Sequence, residues 1–355
     1  MRLGARLAAG LVSLAALTSA PQAEAADSAV ILTYYRFGEA NFPSINTKLV
    51  DFEAHIKELT SGRYNVAPLL DVLSAIRKGK PLPERTVAIT MDDGFASVYT
   101  QAWPRLRAAK LPFTIFVATD SIDAKAKGMM SWDQLRELAR AGVTIGAQTA
   151  SHLHMVEATE ARNKDEMTRS NARIAAEIGT PPVLFSYPYG EASLAVMHQV
   201  KEAGYKFAFG QYSGIANPTT DDFFVPRFGV NEASGDMTRF RIVINALPLK
   251  VTDVAPADPL VGKHNPPSFG FTMIGDTANA LGRAGTLACF GSNGWRVRSE
   301  RLDTRVEVRF DKALAQGRTR LNCTMAGPQG RYRWYGMSFY VPRSQAQATA
   351  VSNAQ

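Results

Sequence analysis

The sequence predicts a parallel α/β domain of about seven β/α units, followed by a small all-β sandwich. From Ala29 to about Ala246, short β-rich runs alternate with amphipathic stretches. The segment Pro248–Pro259 carries three prolines and interrupts that alternation. Beyond it, polar and apolar or aromatic residues alternate with period two, the pattern of antiparallel strands with one buried face.

The chain opens on Arg2 and Arg6, an apolar run from Leu7 to Leu17, and the small-x-small triplet Ala23-Glu24-Ala25. Charge, a short apolar run and small residues, in that order, make a secretory signal, and the run is too short to span a bilayer. Residues 1–25 are therefore expected to be a signal peptide. Removing them leaves 330 residues, enough for two domains. No later stretch approaches 18 consecutive apolar residues, so the mature protein is expected to be soluble and exported, periplasmic or secreted.

The predicted strands of the first domain are Val30–Tyr34, Thr86–Met91, Pro112–Val117, Thr144–Ala147, Val183–Tyr187, Lys206–Gly210 and Val225–Phe228. Helical patterns lie between them. Leu49, Phe52, Ile56 and Leu59 share one helix face, and Asn163–Ile178 ends at Gly179, where a capping glycine belongs. Periodicity leaves open whether the strands close into a barrel or form a doubly wound sheet. The domain is assigned to residues 26–247, a linker to 248–256, the sandwich to 257–345 and a frayed tail to 346–355. The sandwich strands are predicted at Trp295–Arg298, Arg305–Phe310, Arg318–Cys323 and Arg331–Val341.

Charge separates the two domains. The chain has 40 Lys+Arg and 32 Asp+Glu, and residues 257–345 hold 13 basic against 6 acidic residues, whereas residues 26–256 are balanced. Arginines recur in the second domain as Arg296/Arg298, Arg318/Arg320 and Arg331/Arg333. On a strand, residues i and i+2 share a face, so neighbouring strands would build one basic face. Such a face would suit an anionic polymer or a membrane surface, and no nucleic-acid partner is expected. The only cysteines, Cys289 and Cys323, lie in this domain, and one disulfide between them is expected in an oxidising compartment.

Three segments carry chemistry. Thr86–Met91 runs into Asp92-Asp93-Gly94, placing two adjacent carboxylates at the end of a parallel strand, where such domains keep their functional face. One acid there can bind a cation while the other takes a proton; a capped Asp-Gly turn is the ordinary alternative. Thr144–Ala147 is followed by Gln148, His152 and His154, and the two histidines are drawn from only five in the chain. Neutral imidazole suits zinc and similar metals. The predicted strand Val183–Tyr187 ends in Pro188-Tyr189-Gly190-Glu191, an aromatic turn able to present a backbone N–H to a developing oxyanion.

In order and spacing these segments resemble the polysaccharide deacetylases, the family that includes the nodulation chitooligosaccharide deacetylases, over roughly residues 29–230. The family's T-F-D-D-G reads here Thr90-Met91-Asp92-Asp93-Gly94. Its pair of histidines four apart falls on Gln148 and His152, and its R-x-P-Y-G on Ser186-Tyr187-Pro188-Tyr189-Gly190. The resemblance implies a distorted (β/α) barrel and a divalent metal, zinc above all. Asp93 and His152, with Gln148, would be the metal positions, Asp92 the general base, and the Tyr189 N–H an oxyanion donor. Gln148 stands where a metal-binding histidine is expected, Tyr35 where an early histidine is, and Ser186 where an arginine would orient the base. No late L-x-H segment supplies an acid, and His154 is the candidate substitute ligand or acid. The implied function is metal-dependent removal of N-acetyl groups from a cell-envelope or extracellular polysaccharide. The alternative is a non-catalytic carbohydrate-binding descendant of the same fold.

Overall fold

A computed structural model describes residues 25–280, 287–292 and 295–343. The expected signal peptide, apart from Ala25, and the expected tail lie outside the described residues.

Seven strands lie side by side in the order Phe207–Phe209, Leu184–Ser186, Thr144–Ala147, Thr114–Val117, Thr86–Met91, Val30–Tyr34 and Phe228–Gly229. All pairings along this row are parallel. The row curls until Phe209 bridges Val225, also in parallel, just before the last strand. Of the two architectures left open by periodicity, the chain forms the distorted barrel.

The strands are buried on both faces, which is why they read as continuous apolar runs. Val87, Ile89 and Met91 pack in one cluster with helix residues Phe52, Leu106, Leu135, Ile174 and Val196. The alternate residues Ile31, Ala88, Phe116, Leu184 and Phe209 form a second cluster inside the curl, joined by Leu69 and Leu73 of helix Leu69–Arg77. Gly146 leaves room there: a Cβ on it would lie 2.5 Å from Phe116 Cδ1. Helix Glu160–Ile178 starts at Thr159, whose hydroxyl accepts the Arg162 N–H, and stops at Gly179 in the left-handed conformation. Among the described residues no helix is long and apolar enough to cross a membrane.

The second domain is a sandwich of two four-stranded sheets. One holds Leu247–Pro248, Tyr332–Val341, Gly317–Ala326 and Ala288–Gly291; the other holds Val251–Ala255, Phe269–Met273, Arg305–Phe310 and Val297–Leu302. Phe269, Phe271, Val308, Leu321, Cys323 and Phe339 fill the space between them. Cys289 and Cys323 face each other across adjacent strands and are joined by a 2.03 Å S–S bond.

Two expectations are corrected. Residues 248–256 are not a free linker. Pro248 belongs to a strand in one sheet, Val251–Ala255 pairs with Phe269–Met273 in the other, and Leu249 and Val251 are buried in the sandwich core. Local prolines misled because they sit at strand ends, where the missing N–H does little harm. The arginine pairs do not form one basic face either. Arg296 and Arg298 are exposed, the latter on the outer strand Val297–Leu302, whereas Arg318, Arg320, Arg331 and Arg333 belong to the other sheet. That sheet packs against the barrel: Arg331 pairs with Glu84, Trp334 meets Phe228 edge to face at 5.1 Å between ring centres, and Gly336 lies against Ser213.

Candidate active site

The strand register brings Asp92 to the C-terminal end of Thr86–Met91, its N–H donating to Tyr34 O at 3.0 Å. Its side chain is fully buried, and both carboxylate oxygens are gripped by Arg227, Nη1 to Oδ1 and Nη2 to Oδ2, each at 2.7 Å. Longer contacts to Asp92 Oδ2 come from Ser186 Oγ at 3.3 Å and Gln211 Nε2 at 3.4 Å. The family's arginine is thus absent at Ser186 and supplied instead by Arg227, ahead of the closing strand, which donates to Ser186 Oγ at 2.8 Å.

Asp93 and Gly94 both have positive φ, 74° and 76°, and turn the chain away from the strand. The Asp93 N–H donates to Gln148 Oε1 at 3.1 Å, and its Oδ1, buried with no hydrogen-bond partner, lies 3.3 Å from His152 Nε2. Gln148 Nε2 lies 3.2 Å from the same imidazole nitrogen. The loop carrying His152 is strained, with Thr149 at φ 64° and His152 at φ 61°. For a β-branched residue such a conformation is costly and needs surrounding structure to enforce it. Glu166 does so: fully buried, it accepts from Ala150 N–H, Ser151 N–H and Ser151 Oγ at 3.0, 2.7 and 2.9 Å, and Arg162 balances its charge.

The orphaned Asp93 Oδ1 and His152 Nε2, 3.3 Å apart, fit as two ligands of one metal, each within reach of the usual bond of about 2.0–2.2 Å. Gln148 fits less well, because its oxygen is committed to the Asp93 N–H and its NH₂ faces the histidine. Among the described residues, no three of His, Cys, Asp and Glu form a group that could hold a metal.

His154 is not brought to this pair. Its Nδ1 lies 2.7 Å from Glu191 Oε2, and its ring stacks on Tyr189 at 4.1 Å. Tyr189, at φ 58° in the Pro188–Gly190 turn, also meets the His152 ring edge-on at 4.5 Å. Burial, then the charges of Glu191 and Asp93, push its phenol up. His55 is buried between Tyr34 and the Gly235 carbonyl, a core role. Asp93, His152, Tyr189 and Tyr35 line one open pocket of about 530 Å³.

Four residues of the site were missed or misplaced by sequence reasoning. Arg227 had a signal: it is the one charge in the predicted Val225–Phe228 strand. Gln211 had none. Arg318 and Arg320 were seen as a pair and assigned to an outer face, but both line the pocket.

The barrel carries an acid pair at its strand ends, one acid clamped by arginine and the other beside histidine. Residues 79–208, from before strand Thr86–Met91 into strand Phe207–Phe209, match the family model described as polysaccharide deacetylase. Over those residues the chain is similar to the polysaccharide deacetylases. It is 27% identical over 187 residues to YxkH of Bacillus subtilis, a protein named as a polysaccharide deacetylase, covering 53% of this chain and 66% of that one. It is 25% identical over 232 residues to the poly-beta-1,6-N-acetyl-D-glucosamine N-deacetylase of Staphylococcus aureus, covering 58% of this chain and 80% of that one. Among solved structures, IcaB from Ammonifex degensii superposes with a TM-score of 0.55 at 24% identity, over 62% of this chain and 98% of that one. The Streptococcus pyogenes deacetylase PplD gives 0.57 at 17%, over 61% and 98%. These structural likenesses establish the fold.

Proposed function

We propose that the protein is an exported hydrolase that removes N-acetyl groups from a cell-envelope or extracellular polysaccharide. The observation that carries this reading is the Asp92–Arg227 clamp beside the Asp93–His152 pair at an open pocket. The name of the Staphylococcus aureus relative, an N-deacetylase of poly-N-acetylglucosamine, supports the substrate class. The signal-like first 25 residues and the Cys289–Cys323 disulfide support export.

In this reading Asp92 Oδ2 accepts a proton from the attacking water, which takes the place of the long Gln211 contact. Arg227 fixes the carboxylate plane, so its lone pairs are aimed before the substrate arrives. The oxygen of the former acetyl carbonyl becomes an oxyanion, held by the Tyr189 N–H. The proton on Asp92 then passes to the sugar nitrogen as the C–N bond breaks, giving free amine and acetate. Asp93 and His152 would hold a divalent metal, zinc above all, which when bound would polarise the carbonyl and favour loss of the water proton. Acetate release from a panel of N-acetylated glycans, by zinc-loaded full-length protein with and without chelator, tests the reading. Release that chelation abolishes supports it, and no release from any glycan overturns it.

One observation favours the non-catalytic, carbohydrate-binding alternative: the Gln148 amide, at the position of an expected histidine ligand, is committed to the Asp93 N–H and faces the His152 ring with its NH₂. A protein that binds glycan, binds no zinc and releases no acetate would establish it.

A further inference from the structure

We infer that the same pocket contains an anion subsite, built by Arg318 and Arg320 of the sandwich, that takes a carboxylate of an acetylated, uronate-bearing polysaccharide. The choice of glycan rests on the deacetylase reading; the subsite rests on its own geometry.

Alternation along Gly317–Ala326 sends Thr319, Leu321, Cys323 and Met325 into the sandwich core and Arg318 and Arg320 toward the barrel. Arg318 Nη1 donates to Gln211 Oε1 at 2.9 Å, and Arg320 Nε to Gln211 O at 2.8 Å. Neither guanidinium has a carboxylate within ion-pair distance among the described residues. Other arginines of the domain do: Arg305 and Arg309 share Glu307, Arg331 meets Glu84 and Arg333 meets Asp276. Two partly buried cations side by side with no counter-charge are costly. Burial pushes Arg318 down to about 10, and the neighbouring Arg320 adds to the shift. Arg320 is pushed down by burial too.

The carboxylates nearby are engaged elsewhere rather than paired with these two arginines. Arg227 is balanced by Asp92. Glu191, which bears on Arg318 from a distance, is engaged by His154. Asp93 lines the pocket, but its free oxygen faces His152. A third arginine, Arg239, also lines the pocket; its Nη1 donates to the Ser234 carbonyl at 2.9 Å. The arginines are held in place before any ligand arrives. The strand carrying them is tied through Cys323 to Cys289, and its neighbour meets the barrel at Gly336 and Trp334. A guanidinium fork matches a carboxylate in two parallel hydrogen bonds, so an acidic sugar beside the acetamido sugar would satisfy donors that a neutral chain leaves to water.

The test is calorimetric titration of the full-length exported protein with a hyaluronan tetrasaccharide, with chitotetraose and with inorganic phosphate, at low and moderate salt. The acidic tetrasaccharide is expected to bind at least tenfold tighter than the neutral one at low salt, with a smaller preference at moderate salt. R318Q/R320Q, with its thermal unfolding checked, should cut that preference at least tenfold, and R318K/R320K should retain part of it. Equal or tighter binding of chitotetraose by the wild type overturns the subsite without recourse to any variant. A preference that survives R318Q/R320Q, or capture of phosphate with no preference between the glycans, overturns it as well. Acidic preference without acetate release would sink the catalytic reading and leave the subsite standing; acetate release without acidic preference would do the reverse.

Discussion

Arg227 and Asp92 are joined by two hydrogen bonds of 2.7 Å with both side chains out of reach of solvent. All five guanidinium N–H groups have acceptors: two on Asp92, and one each on Ser186 Oγ, Thr90 Oγ1 and the Gly210 carbonyl. A buried charge is tolerated when it is paired and every donor is satisfied. The clamp also joins the first acid motif to the strand that closes the barrel, so it couples the catalytic geometry to closure of the fold.

Removing the guanidinium would therefore leave a buried, unpaired carboxylate. Arg227→Ala is expected to destabilise the protein by about 3–5 kcal/mol. Arg227→Lys should recover only part of this, because an ammonium has three donors and no planar fork. Urea denaturation of the two variants measures both effects. A loss below about 1 kcal/mol for Arg227→Ala would mean that the pair does not hold the closing strand.

The strand cores and the acid motif were legible because each is a local pattern. Val30–Tyr34, Thr86–Met91 and Thr144–Ala147 form over the very residues predicted, since burial on both faces leaves a continuous apolar run. Arg227 was harder to place, because its partner is 135 residues away and only barrel closure brings them together. The arginines of Gly317–Ala326 were visible as a pair on one face. What that face touches depends on how the sandwich docks on the barrel, which no local periodicity encodes. The supposed linker failed for a similar reason: Val251 is a strand residue only once Met273 lies beside it.

Gln148 makes the metal question testable. Its replacement by histidine would exchange an NH₂ that faces His152 for an imidazole nitrogen able to ligate. Gln148→His is expected to tighten zinc binding at least tenfold, or about 1.4 kcal/mol. Competition against a chromophoric chelator measures it. Unchanged affinity would show that Asp93 and His152 do not form the core of a metal site.

Docking of the two domains depends on Gly336. A Cβ there would lie 1.8 Å from the Ser213 carbonyl oxygen, a backbone atom that cannot swing away. Gly336→Ala should cost about 1–3 kcal/mol as the interface is forced apart. It should also weaken glycan binding, by withdrawing Arg318 and Arg320 from the pocket. An unchanged thermal midpoint would argue that the two domains meet less closely.

Tyr35 lends the protein a pH dependence in the alkaline range. Burial pushes its phenol up to about 12, and the charge of Asp92 adds to the shift. An acid with a raised folded-state pKa contributes stability that is full below its unfolded pKa of 10.0 and is lost as pH rises through about 12. Tyr35→Phe should flatten that fall by up to about 1.4 kcal/mol per pH unit. Urea midpoints of wild type and variant between about pH 9 and 12 give the comparison. Parallel curves would mean that Tyr35 is not buried beside Asp92.

Asp92 is the residue on which the catalytic reading turns, and acetate release by zinc-loaded Asp92→Asn protein is its most direct test. Asparagine keeps the shape and can accept one of the two Arg227 hydrogen bonds, but it cannot take a proton from water; because it also removes the counter-charge of a buried guanidinium, thermal unfolding must show that the variant is folded. On the acetylated glycan that the wild type turns over best, acetate release should fall at least about 100-fold, the lower range for a positioned base. Zinc binding at Asp93 and His152 should be largely retained. Wild-type rates in Asp92→Asn would contradict the assignment of Asp92 as the base.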